Sequence, residues 1–188
     1  MTTHYIDITL LPDPEFSPSH LRSALFSKLH RALAHRAAGD IGVSFPGLSL
    51  QGRHLGDTLR LHGTEPALLE LHTQPWLQGM RDHVLAGNAI PVPADVRHRV
   101  VRRVQAQSNP ARLRRRQMRR HGYDEAEALR RIPDSAAQHL HLPYLHLQSS
   151  STGQSFRLFV EHGPLQAEPR MGYFSAYGLS TTATVPWF

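Results

Sequence analysis

The chain has 188 residues, 40% of them apolar and 19% charged, which is enough for one ordinary domain or two small ones around a true core. No apolar run reaches the length of a membrane span, Asp7 interrupts the N-terminal stretch where a secretory signal would be apolar, and zero cysteines exclude disulfides, thiolate metal sites and a cysteine nucleophile. The expectation is therefore a cytoplasmic protein with no membrane partner, and its formal charge of +6 comes from 21 basic against 15 acidic residues.

His4-Tyr5-Ile6-Asp7-Ile8-Thr9-Leu10 alternates large apolar and polar side chains and predicts a strand that stops at Pro12-Asp13-Pro14. Ser17-Pro18 or Ser19 then opens a helix, with Leu21, Leu25, Phe26, Leu29, Ala32 and Leu33 at helical spacing up to Gly39. Ile41 to Phe45 and Thr58 to His62 alternate as two short strands. Glu65-Pro66 opens a second helix through Leu71, and a fourth strand is expected over Arg81 to Ala86. The order β-α-β-β-α-β is that of the ferredoxin-like unit, which by itself implies no function. Composition changes after Ile90-Pro91-Val92-Pro93. The expectation is therefore an α+β chain: a ferredoxin-like domain over 1–94, then a smaller α+β domain over 95–188.

In the second half, Arg97 to Gln107 alternates valine with arginine or glutamine as an extended segment with a basic face. Ser108-Asn109-Pro110 supplies a helix start. The helix over 110–121 carries Arg112, Arg114, Arg115, Arg116, Arg119 and Arg120, which surround most of it and leave Leu113 and Met118 as a narrow anchoring stripe. Ten arginines lie between Arg97 and Arg120 with no acid among them, leaving 11 basic against 15 acidic residues elsewhere. Twenty of the 21 basic residues are arginine, Lys28 being the only lysine, and arginine suits bidentate phosphate and guanine recognition. One concentrated basic element on a mildly acidic body is the footprint of a nucleic-acid reader, and charge alone does not choose between duplex DNA and an RNA hairpin. A short helix over Asp124 to Arg131 and two strands, Tyr144 to Gln148 and Ser155 to Glu161, follow.

Candidate chemistry is sparser. His30, one of 14 histidines, lies about 120° from the centre of the leucine stripe, so the core can hold it while its ring faces a cleft; a plain boundary histidine is the ordinary reading. His139, His141 and His146 have the residue type for zinc but no carboxylate or distant partner pattern. The serine loop over 149–153 offers hydroxyls and amides for a phosphate, or is a polar turn. Phe156 can stack on a base or join Leu158 and Val160 in a core-facing row. No G-x-S-x-G elbow and no P-loop occur.

Many segments together resemble one family. They include Pro12-Asp13-Pro14-Glu15-Phe16, Leu25-Phe26-Ser27-Lys28-Leu29-His30, Arg103-Val104-Gln105-Ala106, the 110–121 helix, Ser151-Thr152-Gly153-Gln154, Tyr177-Gly178-Leu179-Ser180 and Val185-Pro186-Trp187-Phe188. The chain resembles the CRISPR-associated endoribonucleases of type I-F (Ypest-subtype) systems, which cut the repeat hairpins of precursor CRISPR RNA. The resemblance implies a catalytic His30, Ser149 and Tyr177. It further implies RNA contacts from Arg103, Gln105, Arg112, Arg115, Arg116, Arg119, Arg120 and Ser151, with Arg114 also on the helix that enters the groove of the stem, and stacking by Phe156 beneath the stem. The serine run leaves open which of Ser149, Ser150 and Ser151 holds the 2′-hydroxyl. It also implies a monomer that needs no metal or other cofactor, leaves a 2′,3′-cyclic phosphate and a 5′-hydroxyl, keeps its product and joins the interference complex. A non-catalytic hairpin-binding protein is the alternative.

Overall fold

A computed structural model describes residues 2–105, 110–133, 140–149 and 152–188. Strand β1 (His4–Leu10) follows its alternation, burying Ile6, Ile8 and Leu10 on one face. Helix α1 (Pro18–Arg36) starts where Ser17 accepts a hydrogen bond from the His20 amide and proline fills the first turn. The predicted stripe from Leu21 to Leu33 is its buried face, each large side chain adding about 1.5–3 kcal/mol of hydrophobic stabilisation. The helix stops at Arg36 rather than Gly39, because Ala37 turns left-handed (φ 52°) and closes onto the Leu33 carbonyl.

Strands β2 (Gly42–Ser44) and β3 (Thr58–Gly63), helix α2 (Glu65–Thr73) and strand β4 (Val84–Ala86) complete the first layer. Its sheet runs β2-β3-β1-β4 with antiparallel pairs, and β5 (Ile90–Pro91) extends the β4 side of β1. The strand expected over Arg81 to Ala86 is shorter, since Arg81–His83 forms a 3-10 turn first. A second sheet, ordered β7-β8-β6-β9, uses β6 (Arg97–Val104), β7 (Tyr144–Gln148), β8 (Ser155–His162) and β9 (Thr184–Trp187). Leu145, Leu147, Leu158, Val160 and Val185 from these strands join the same buried cluster as α1 and the first sheet.

Contact density divides the α+β chain into two units, Met1–Val104 with Leu142–Phe188, and Gln105–His141. Both sheets fall in the first unit, whereas the composition change at 94/95 marks the step from one sheet to the other. The second unit holds helices α3 (Pro110–His121) and α4 (Glu125–Arg131). Asp124 caps α4, and Glu127 binds Arg130 and Arg131, which hold its carboxyl below the usual carboxylate range. Ser108 and Asn109, the expected cap of α3, lie outside the described residues. Among the described residues no helix is long and apolar enough to cross a membrane.

Candidate functional site

The first unit holds His30 from two directions. Its Nδ1 donates to the Ala176 carbonyl at 2.9 Å, and a carbonyl only accepts, so the neutral ring carries its proton on Nδ1 and its lone pair on Nε2. The Tyr177 ring lies parallel to the imidazole, 4.0 Å between centroids and 8° between planes. Phe26, one turn earlier on α1, is parallel to the same tyrosine at 6.4 Å. A half-buried histidine with one nitrogen committed and one face stacked has its remaining nitrogen aimed in a fixed direction.

A tight turn makes this possible. The Gly178 amide donates to the Ser175 carbonyl at 2.7 Å, the Tyr177 amide to the Ser175 hydroxyl at 3.3 Å, and the Val43 amide of β2 to the Gly178 carbonyl at 2.9 Å. Gly178 has φ +68°, and a Cβ there would stand 2.5 Å from Val43 Cγ1. Only glycine lets this turn press against β2 while presenting Ala176 and Tyr177 to α1.

Arg103 of β6 continues the stack. Its guanidinium lies 5.8 Å from the Tyr177 ring and 5.4 Å from the Phe156 ring of β8. Its Nε is buried with no hydrogen-bond partner among the described residues. Phe156 is half-buried, packed against the core at the end of the row formed by the fully buried Leu158 and Val160 and partly open to solvent. Ser149 stands one residue beyond the Gln148–Ser155 pair, where its amide donates to the Gln154 carbonyl at 2.9 Å and its hydroxyl accepts from the Thr152 amide at 3.3 Å. Ser150, Ser151 and His139 lie outside the described residues. Among those described, no three His, Asp or Glu side chains gather as a metal site.

The structure thus collects His30, Tyr177, Arg103 and Phe156 in one stacked row, with Ser149 in the hairpin that carries Phe156. Sequence reasoning missed the Ala176 carbonyl and the backing by Phe26. The i, i+4 spacing of Phe26 and His30 was the available signal for the second.

Gln105 and the arginine helix belong to the other unit, where Gln105 is exposed. The arginines do not surround α3. Arg112, Arg115, Arg116, Arg119 and Arg120 are exposed and share an arc of about 140° at 100° per residue. Leu113, Arg114, Gln117 and Met118 form the opposite, half-buried face. Arg114 donates to the Ile132 carbonyl beyond α4 at 3.0 Å, which removes it from the basic face. Arg115, Arg116, Arg119 and Arg120 make no ion pair among the described residues.

A family model described as "CRISPR-associated protein (Cas_Csy4)" matches residues 5–188. The chain belongs to the Csy4 family of CRISPR-associated proteins. It is 53% identical over 185 residues to the "CRISPR-associated endonuclease Cas6/Csy4" of Pseudomonas aeruginosa (strain UCBPP-PA14), covering 98% of this chain and 99% of that one. A second Cas6/Csy4 endonuclease, from Escherichia coli (strain UTI89 / UPEC), is 48% identical with the same coverage. Csy4 kinship at that level makes the chain an endonuclease.

Proposed function

We propose that this chain is a metal-independent endoribonuclease that cuts the repeat hairpin of precursor CRISPR RNA by attack of a 2′-hydroxyl on its own phosphate. The observation that carries the reading is the Nδ1 bond of His30 to the Ala176 carbonyl, which leaves Nε2 as a base. RNA brings its own nucleophile, so the protein has to orient, move a proton and offset charge. Nε2 takes the 2′-hydroxyl proton, the 2′-oxygen bonds to phosphorus, the bond from phosphorus to the 5′-oxygen breaks, that oxygen takes a proton from water, and the hydroxide so formed takes the proton back from the imidazolium. The products are a 2′,3′-cyclic phosphate and a 5′-hydroxyl.

Tyr177 positions the imidazole, and Ser149 holds the attacking hydroxyl in line. Arg103, with its unpartnered Nε, and Phe156 meet the last base pairs of the stem. Gln105 and Ser151 add RNA contacts. The arginine face of α3 enters the groove of the stem, which cutting leaves intact, so product leaves slowly and the enzyme stays with its guide RNA in the type I-F interference complex. Residues 1–94 serve as a ferredoxin-like platform for His30 and 95–188 as the RNA-binding part of a cytoplasmic protein that is monomeric on its own.

The test is cleavage of the repeat hairpin in EDTA by wild type and His30→Ala, repeated with a 2′-deoxy nucleotide just upstream of the cut. Cleavage by wild type alone, abolished by the deoxy sugar while both proteins still bind, supports the reading. Tight binding without cleavage by wild type overturns it and leaves a hairpin-binding protein.

A further inference from the structure

The only lysine of the chain takes no part in the site above. Lys28 lies on α1 two residues before His30, and its ammonium donates to the Gln78 carbonyl at 2.6 Å, tying α1 to the segment after the 3-10 turn Pro75–Leu77. The two walls enclose an open groove of about 650 Å³ lined by Lys28, Arg31 and His35 on one side and Trp76 and Gln78 on the other. That volume lies in the range of pockets that hold a small organic ligand. A neighbouring depression continues past Gln74 with His72 and Arg81. No carboxylate lines either one among the described residues, and Glu70, on α2 nearby, is held by Arg36 at 2.9 Å.

We propose that this groove takes the unpaired RNA strand that continues past the scissile phosphate, with Trp76 stacking on a base and Lys28, Arg31 and His35 on its phosphates. The inference rests on the endoribonuclease reading and adds a second binding surface to it. A half-buried indole lining a groove together with cations is the composition that binds single strands without regard to sequence. The position is within reach as well. Lys28 and Arg31 lie within about 3 Å of His30 along the helix axis, Arg31 about 100° and Lys28 about 160° round from it, so a strand leaving the imidazole reaches the groove by passing round the exposed side of α1, over Arg31.

The experiment uses uncleavable hairpins with a 2′-deoxy nucleotide at the cut, either bare or carrying an unpaired tail on the 3′ or the 5′ side. Wild type is expected to bind the 3′-tailed hairpin about 5- to 20-fold tighter than the bare one. Arg31→Glu and Trp76→Ala should abolish that gain and leave bare-hairpin affinity and cleavage unchanged, whereas Trp76→Phe, which keeps a stacking ring, should retain most of it. The gain should also fall with salt, by about 0.7 in the logarithmic slope for each phosphate engaged. No gain from the 3′ tail, a gain only from the 5′ tail, or a gain that survives Arg31→Glu would each overturn the proposal. Failure of wild type to cut the unmodified hairpin is a separate result that removes the endoribonuclease reading itself.

Discussion

Replacing Gly178 by alanine should unseat the turn that aims His30. The new methyl group meets two costs. At φ +68° an L-residue is left-handed, about 1–2 kcal/mol above its relaxed state. The methyl would also stand 2.5 Å from Val43 Cγ1 and 3.3 Å from Cγ2, and Val43 is fully buried, so it has nowhere to yield. Overpacking of that kind costs about 1–3 kcal/mol, for a total of about 2–5 kcal/mol. Urea unfolding of wild type, Gly178→Ala, Val43→Ala and the double variant separates the parts: Val43→Ala makes room, so the double variant should be about 1–3 kcal/mol more stable than the sum of the singles. The backbone cost should remain. Cleavage measured where Gly178→Ala is still folded should also fall, because the Ala176 carbonyl moves with the turn. A total loss under about 1 kcal/mol, or additivity within about 0.5 kcal/mol, would refute the packing argument.

Every described contact of the Tyr177 side chain is through its ring, so Tyr177→Phe should cleave at nearly the wild-type rate while Tyr177→Ala slows about 10- to 100-fold; equal losses would assign the work to the hydroxyl. On α3, Arg119→Ala should lower the salt slope of hairpin binding by about one unit, whereas Arg114→Ala should leave the slope and weaken the α3–α4 pair by about 1–2 kcal/mol, read by hydrogen exchange. Stability should fall as pH drops below 6.5. Burial, with Arg60 nearby, pushes the His62 imidazole down to about 3, and burial with Arg99 nearby pushes His162 down to about 4, so unfolded chains take up two protons that the folded protein refuses. The slope approaches about 2.7 kcal/mol per pH unit between 6.5 and 4, and a flat profile from pH 7 to 5 would contradict it.

The elements set by local pattern were readable. The leucine stripe of α1 and the alternation in β1 and β7 each bury what their period says they bury, whereas β3 also buries His62 on its polar face and β8 leaves Phe156 half-buried in its apolar row. Strand β9 has no counterpart among the elements expected from local pattern; its Pro186 is tolerated because β9 is an edge that pairs with β6 alone. The charge of α3 was visible, but its one-sided arrangement depends on Arg114 reaching the Ile132 carbonyl, a tertiary choice. His30 shows the same limit more sharply. Its geometry lies in a backbone carbonyl, which any residue possesses, so no side-chain pattern could mark Ala176.

The separation of those two residues has a consequence for biosynthesis. His30 and Ala176 are 146 positions apart, and at about 5–20 residues per second a ribosome needs about 7–30 s to travel between them. The arginines of α3 are translated well inside that interval. On the proposed reading of His30 and α3, a growing polypeptide therefore acquires its grip on polyanions before its imidazole is aimed, and would hold a transcript for seconds before it could cut it.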